Sequence, residues 1–450
     1  MVQVFPDKKK WFAWLPQLRQ EIWILSAGQL LLFIGQGFTM VYASIFFVNE
    51  LGFSPTQVGL ALGSSGLSGL LGRFGSGYAI DSPALGRRTT LLISTIVAAI
   101  ACCFLAFATT FPLLVTGNVL LGLGVGLYWP ATMAVTTDLT TEENRTEAFA
   151  LTRLADHLGI GLGALFAGQY IALSGSYRIL FLAKGGAYLI CGLVVYWTIA
   201  ETLHSAIASP NLDTEAESIK PNQVTLNQAT ITSAPHHTPL SMALKNWWEA
   251  LSDRPFTFYL LSNIFFTTYA AQLSSTLPLY LADFIPAGNT GTGFSEQWIS
   301  YFFFWHALLK IVFQLPMARR FKPIPYATIL LISLSLWLSG FVLIWLTGLL
   351  STYALLPIVG AFSLIAFGEI LYGPAAMTLI GEIAPVLRRG TYFSLDSQCW
   401  AMGYLIGPAL GGWALDHPTL LGTNLWLALV AVGAIAGTLL MFLKRQMVAA

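Results

Sequence analysis

The sequence predicts an all-α integral membrane protein of twelve transmembrane helices, arranged as two pseudo-symmetric six-helix bundles. Three observations carry that expectation. Of the 450 residues, 56% are hydrophobic and only 10% charged, a balance that belongs to chains packed against lipid. About twelve stretches reach the roughly 20 apolar residues that a helix needs to cross the hydrocarbon core. Finally, Gly403-Tyr404-Leu405-Ile406-Gly407-Pro408-Ala409-Leu410-Gly411-Gly412 has an earlier, degraded copy, Gly159-Ile160-Gly161-Leu162-Gly163-Ala164-Leu165-Phe166-Ala167-Gly168. The match continues upstream without a gap: Leu127-Tyr128-Trp129-Pro130-Ala131 aligns with Leu371-Tyr372-Gly373-Pro374-Ala375, Arg145 with Arg389 and Phe149 with Phe393. One half of the chain is therefore a copy of the other.

In chain order the spans are expected to begin near Ile22, Gln57, Thr89, Pro112, Ala148, Arg178, Phe256, Trp298, Pro325, Tyr353, Thr391 and Asn424. The first is too long for a signal-peptide core and no small-residue cleavage pattern follows it, which predicts an uncleaved first span. Short connections such as Thr109-Thr110-Phe111 and Ser351-Thr352 force neighbouring helices to run antiparallel. The exception is Glu201 to Asp253, rich in Ser, Thr, Asn, Gln and Pro and without apolar periodicity, which reads as a mobile linker. The expected organisation is thus a bundle over residues 1–200, a cytoplasmic linker over 201–253 and a second bundle over 254–450.

Basic residues orient the spans. With the N-terminus inside, Lys8 to Lys10, Arg19, Arg87, Arg88, Arg145, Arg319, Arg320, Lys322, Arg388, Arg389, Lys444 and Arg445 are all cytoplasmic, and Arg178 is the clear exterior exception. Each half enters through a basic, Trp-bearing segment, Lys10-Trp11-Phe12-Ala13-Trp14 and Lys245-Asn246-Trp247-Trp248, as interfacial helices do. The expected location is the cell membrane, with both termini cytoplasmic.

Several function classes find no support. A formal net charge of +1, with no basic run beyond Lys8-Lys9-Lys10, gives no reason for a nucleic-acid partner. The four cysteines, Cys102, Cys103, Cys191 and Cys399, all fall in apolar stretches and offer neither a disulfide framework nor metal-ligand spacing. The glycine-rich segment Ala287 to Gly293 lacks the Lys-Ser/Thr of a phosphate cradle, and His236-His237 stands alone in the linker. No cofactor, metal or nucleotide is expected, and no enzyme: nucleophile, acid and base cluster nowhere at the interface.

The second span ends Arg73-Phe74-Gly75-Ser76-Gly77-Tyr78-Ala79-Ile80-Asp81, and Gly86-Arg87-Arg88 follows after a Ser82-Pro83 turn. Gly69, Arg73, Gly77 and Asp81 lie four apart on one helix face. Glycines there let another helix approach, while Asp81 at the membrane mouth suits a helix N-terminus, a latch geometry. Anchoring by Arg87 and Arg88 with Arg73 snorkelling accounts for the charges equally well. Gly77-x-x-x-Asp81 followed by Gly-Arg-Arg resembles the loop signature of the major facilitator superfamily, and Gly403 to Gly412 resembles the Gly-x-x-x-Gly-Pro-x-x-Gly-Gly signature of its antiporters. The resemblance covers nearly all of both halves. It implies the twelve-helix fold, alternating access and proton-coupled export of a small organic solute. In the antiporter pattern the full signature falls in the fifth helix; here Ala164 replaces its Pro and the intact copy lies in the eleventh. Asn118 stands where proton-coupled members often carry Arg, so a proton route must use other groups.

Ionisable residues inside spans are costly in hydrocarbon and mark function or a buried pair. Glu369 lies about ten residues, ~15 Å at 1.5 Å per residue, from the cytoplasmic end of the tenth span, too deep to snorkel. Desolvation favours its neutral form, as a proton carrier requires. His306, Lys310 and Gln314 form a polar stripe at spacing four in the eighth span. Lys310 is a candidate ion partner for Glu369, which would compete with free protonation; an anchor for substrate anions and a snorkelling Lys are the alternatives. Asp156 and His157 sit below Gly159, with Arg153 one turn earlier, a structural Arg–Asp pair with gating as the second reading. Gln29, Gln36, Thr39, Asn263, Thr267, Tyr269 and Gln272, with Asn118 and Tyr372, are expected around a wet central cavity. Gly403, Gly407, Pro408, Gly411 and Gly412, with Gly159 and Gly163, are expected to pack helices five and eleven against the opposite half, Asp81 facing the start of the eleventh. The expected partners are a small-molecule substrate, protons and the lipid bilayer. A uniporter or importer on the same fold, or a non-transporting membrane sensor or scaffold, are the other readings.

Overall fold

Length and apolarity dictate long helices here, and the computed structural model contains little else. It describes residues 18–80, 82, 85–140, 142–200, 247–286, 293–321, 323–350, 354–385 and 389–449. Among these, twelve helices run in sequence: α1 Gln20–Ile45, α2 Pro55–Ile80, α3 Gly86–Ala106, α4 Phe111–Asp138, α5 Glu142–Ser174, α6 Arg178–Thr198, α7 Arg254–Asp283, α8 Glu296–Phe321, α9 Tyr326–Leu349, α10 Leu355–Ile383, α11 Arg389–Asp416 and α12 Leu425–Ala449. Three of them open with Pro at the first or second position, α2 at Pro55, α4 after Thr110 and α7 after Asp253, where its missing N–H costs nothing. The largest departure from the expected starts is α5, which begins at Glu142, well ahead of the apolar stretch. A single π-helical turn, Phe46–Glu50, extends α1.

Nine of these helices are long and apolar enough to cross a membrane. The three that fall short, α2, α7 and α11, share a reason. They are rich in Gly, Ser, Thr, Asn and Gln, and α11 packs on both α2 and α7. Helices that face one another across protein need not match lipid.

Within the first half α1 packs on α5 and α6, α3 on α4 and α6, and α2 on α4; within the second, α7 packs on α11 and α12, α9 on α10 and α12, and α8 on α10. Between halves, α2 meets α11, α5 meets α8, and α1 meets α7. Of the expected linker, residues 201–246 lie outside the described residues, as do Lys8 to Lys10, Asp81 and 287–292. Residues 247–252 are helical, and the Trp247 ring lies 5.2 Å from that of Phe74 on α2. Asp253, the last residue of the expected linker, is the N-cap of α7. All four cysteines are free.

Candidate functional site

A cavity of about 110 Å³ lies where the halves meet. The first half supplies Gln36, Thr39, Met40 and Phe47 from α1 and its π turn, Leu62 and Ser65 from α2, Leu105 from α3, Asn118 and Leu121 from α4, and Phe181 and Lys184 from α6; Ser274 and Ser275 of α7 and Tyr404 and Pro408 of α11 complete the wall. Apolar and uncharged polar groups alternate around it, with one cation. The Lys184 ammonium is buried and donates to Thr39 Oγ1 at 2.9 Å.

Of the residues expected at this cavity, Gln36, Thr39 and Asn118 line it, whereas Tyr269, Gln272 and Tyr372 do not. The Tyr269 hydroxyl donates to the Leu429 carbonyl of α12 at 2.9 Å and its ring packs on Trp337 and Phe341. Gln272 Nε2 donates to the Gly407 carbonyl at 2.9 Å. Tyr372 donates to Asn263 Oδ1 at 2.5 Å and stacks on Phe266. Each of these side chains binds one helix to another inside the second half, although Gln272 Oε1 has no partner among the described residues. Sequence spacing puts residues on a helix face but does not say which neighbour that face meets.

A charged cluster lies in the second half. Lys310 Nζ is 2.6 Å from Glu369 Oε2 and His306 Nε2 is 3.6 Å from the same oxygen. Gln314 Nε2, one turn further on, donates to the Ile370 carbonyl at 3.3 Å. The stripe on α8 therefore faces α10, and Glu369 is paired rather than free. Helix α5 closes over this stripe: Gly161 sits on Ala307 and Gly168 on Ser300. That antiparallel register brings His157 level with Lys310, within electrostatic reach of Lys310 and His306.

Two further carboxylates, Asp156 and Asp396, are buried. Asp156 Oδ1 accepts from Gln29 Nε2 of α1 at 2.6 Å, with Arg153 a looser 3.7 Å away. In the second half Asp396 Oδ1 accepts from Asn263 Nδ2 of α7 at 2.7 Å and from the Tyr259 hydroxyl at 2.6 Å. Each half thus ties its first helix to its fifth by an amide-to-carboxylate bond. Asp396 and Lys184 escaped the sequence reading, though both are ionisable residues inside apolar helices, the signal that singled out Glu369.

The glycines divide their work differently from expectation. Gly159 and Gly163 pack on Leu30, Phe33, Ile34 and Gly37 of α1, and Gly403, Gly407 and Gly411 pack on Thr267, Ala271 and Gln272 of α7. Both faces therefore belong to their own half. The opposite half is met by Pro408 and Gly412, against Gly59 and Pro55 of α2, and by Gly161 and Gly168 on α8. Positions four apart share one face, whereas Gly412 directly follows Gly411 and so turns about 100° away from it. A methyl on Gly412 would meet the Pro55 carbonyl and lie 3.2 Å from Gly59 Cα.

The acid of the expected latch, Asp81, lies outside the described residues, and only its neighbours can be placed. Gly77 faces open space, Gly72 packs on α4, and Ser76 donates to the Leu127 carbonyl of α4 at 3.0 Å. Arg87 pairs with Asp138 of α4, and Arg88 donates to the Tyr196 carbonyl of α6, its guanidinium 4.8 Å from the Tyr196 ring. Through these contacts both arginines fasten α3 inside the first half.

Hydrogen bonds between the halves gather at the opposite end of the bundle. Thr56 N–H donates to Asp416 Oδ2 at 2.8 Å, Asn49 Nδ2 to Asp283 Oδ1 at 2.9 Å, and the Tyr42 hydroxyl to the Glu296 carbonyl at 2.7 Å. Tyr177 adds a bond to Glu296 Oε1 at 3.0 Å, and Gln169 one to the Tyr301 hydroxyl at 3.2 Å.

The family model described as Major Facilitator Superfamily matches residues 25–285. Among curated proteins, the uncharacterized MFS-type transporter YqjV of Bacillus subtilis is 24% identical over 91% of this chain and 88% of its own length. The multidrug resistance protein MdtH of Salmonella typhimurium is 25% identical, over 84% of this chain and 83% of its own. Among solved structures, the nucleoside transporter NupG superposes with a TM-score of 0.72 at 12% identity, covering 95% of this chain and all of its own. The POT family transporter PepTSo does so at 0.71 and 13%, covering 96% and 99%.

Proposed function

This chain belongs to the Major Facilitator Superfamily, an integral multi-pass membrane protein of secondary transport, and we propose that it exports a small organic solute by alternating access, driven by protons. The observation that carries the reading is a cavity walled by both halves and sealed at one end by close packing of Gly412 on the α2 backbone and of Gly168 on the Ser300 side chain. The end remote from that seal carries Arg19, Arg87, Arg88, Arg319, Arg320, Lys444 and Arg445; the excess of cytoplasmic Lys and Arg in such proteins makes it the cytoplasmic end. The conformation is then inward-facing, with both termini in the cytoplasm of a cell whose plasma membrane it spans. The matched helix pairings of the two halves support a twelve-span, two-bundle architecture related by a parallel repeat. Residues 1–200 and 254–450 move against each other, joined by 201–253.

For the driving force we assign Glu369. A proton on its carboxylate would remove the attraction to Lys310, loosening α8 from α10 beside the α5 contact. Its loss would restore the pair. Export is supported by the likeness to a protein named for multidrug resistance.

The test uses inverted vesicles holding the full chain. Glu369→Gln should abolish uptake driven by an imposed pH gradient while leaving substrate counterflow within a few-fold of wild type. Unchanged proton-driven uptake removes Glu369 from the mechanism. A second reading, a uniporter or importer, draws on the formed Lys310–Glu369 pair, which holds both charges fixed. Flux indifferent to the pH gradient would favour it, and no flux of any solute would favour a sensor or scaffold.

A further inference from the structure

We propose that the central cavity selects small amphipathic organic anions, with Lys184 as the cation that receives their acidic group. This deepens the transport reading and rests on it for the cavity being a transport site. Lys184 is 2% exposed, and its ammonium can donate three hydrogen bonds but spends one, on Thr39 Oγ1. A buried cation needs a counter-charge. Helix α6 packs on α1 and α3. Helix α3 has no acidic residue; the carboxylates of α1 and its π turn are Glu21 and Glu50, at its two ends. Among the described residues no carboxylate lies within ion-pair distance of Lys184, and the cavity wall contains neither Asp nor Glu. The protein therefore supplies the cation and leaves its partner to the occupant.

The rest of the wall defines that partner. Gln36, Asn118, Ser65, Ser274 and Tyr404 offer neutral hydrogen-bonding groups, while Phe47, Leu62, Leu105, Leu121 and Phe181 form an apolar bed. An acidic headgroup of two or three oxygens on a compact hydrophobic body satisfies both. A cationic solute would face an unpaired ammonium with no carboxylate to receive it, which a site of this kind rejects.

Three ligands with one apolar body test the assignment on the purified full-length protein: 2-naphthoate, neutral 2-naphthamide and cationic 2-naphthylmethylamine. Calorimetric titration should show naphthoate binding at least about tenfold tighter than the amide, as a charge-assisted contact to a buried cation implies, with the amine weakest. Lys184→Arg should keep the order; Lys184→Gln should bring naphthoate down to the amide. Equal or better binding of the amide or amine to wild-type protein, or no measurable naphthoate binding, overturns the proposal without any variant having to fold. Naphthoate preference that survives in a Lys184→Gln protein of normal size-exclusion profile overturns it too. Counterflow in proteoliposomes separates the two claims. Charge-selective binding with no flux of any solute sinks the transport reading and spares this one, whereas flux without charge preference does the reverse.

Discussion

The two ends of this bundle are built from different contacts. At one, small residues bring the halves together: Gly412 lies on the backbone of Pro55 and Gly59, Gly168 on the Ser300 side chain, and bonds such as Thr56 to Asp416 and Asn49 to Asp283 cross between halves. At the basic end, charged and polar side chains bond inside their own halves, Arg87 to Asp138, Arg88 to Tyr196, Tyr259 and Asn263 to Asp396, and no described residue packs on Gly77. The difference teaches how two rigid halves can rock. Each half is held together by its own buried bonds, and the contacts between halves are small-residue surfaces that can part without leaving a buried charge unpaired.

The strongest way to break this comparison is to fill the sealed end. Gly412→Leu puts a side chain where Pro55 and Gly59 already sit. Overpacking of this kind costs about 1–3 kcal/mol, and here it would fall on one conformation only. Transport should drop by about tenfold or more while the protein remains folded, and a cysteine at Pro55 should become reactive to external thiol reagents. Wild-type flux would mean the seal is not part of the cycle.

A substitution inside one half should behave in the opposite way. Asp396→Asn replaces the acceptor of two donors, Tyr259 and Asn263, with a group that is half donor, at a cost of about 1–3 kcal/mol. The expected result is a lower thermal midpoint with no change in which end is open to labelling. The smallest effect is expected from Asp416→Ala, which removes one partly buried bond between halves worth about 0.5–1.5 kcal/mol. It should raise labelling at the sealed end by a few-fold and leave the thermal midpoint almost unmoved.

The order and starts of the helices were legible because crossing hydrocarbon imposes both length and apolarity, and the twin glycine stretches revealed the repeat. What the sequence withheld is which neighbour each face meets. Gly403, Gly407 and Gly411 stood out by their spacing of four, yet the helix they admit is α7 of the same half. The single step to Gly412 is what turns the chain toward α2. Tyr269 and Gln272 were recognisable as polar groups needing partners, but their donors go to backbone carbonyls of α12 and α11. Lys310 and Glu369 were legible as a potential pair because both are ionisable residues inside apolar spans, where each needs a counter-charge. Lys184 and Asp396 carried the same signal and were passed over; their partners, Thr39 and the Tyr259–Asn263 couple, lie on helices remote in sequence.

The central claim is that the two ends open in alternation. Spin labels at Leu173 and Leu420 report the sealed end, and labels at Gly77 and Phe442 the basic end; Leu173, Gly77, Leu420 and Phe442 are all exposed. Distances measured by double electron–electron resonance in proteoliposomes, with and without an imposed pH gradient, decide the matter. Alternating access requires opposite changes, the Leu173–Leu420 distance lengthening as the Gly77–Phe442 distance shortens. Two distances that change together, or a fixed pair at both ends during measurable flux, would contradict it.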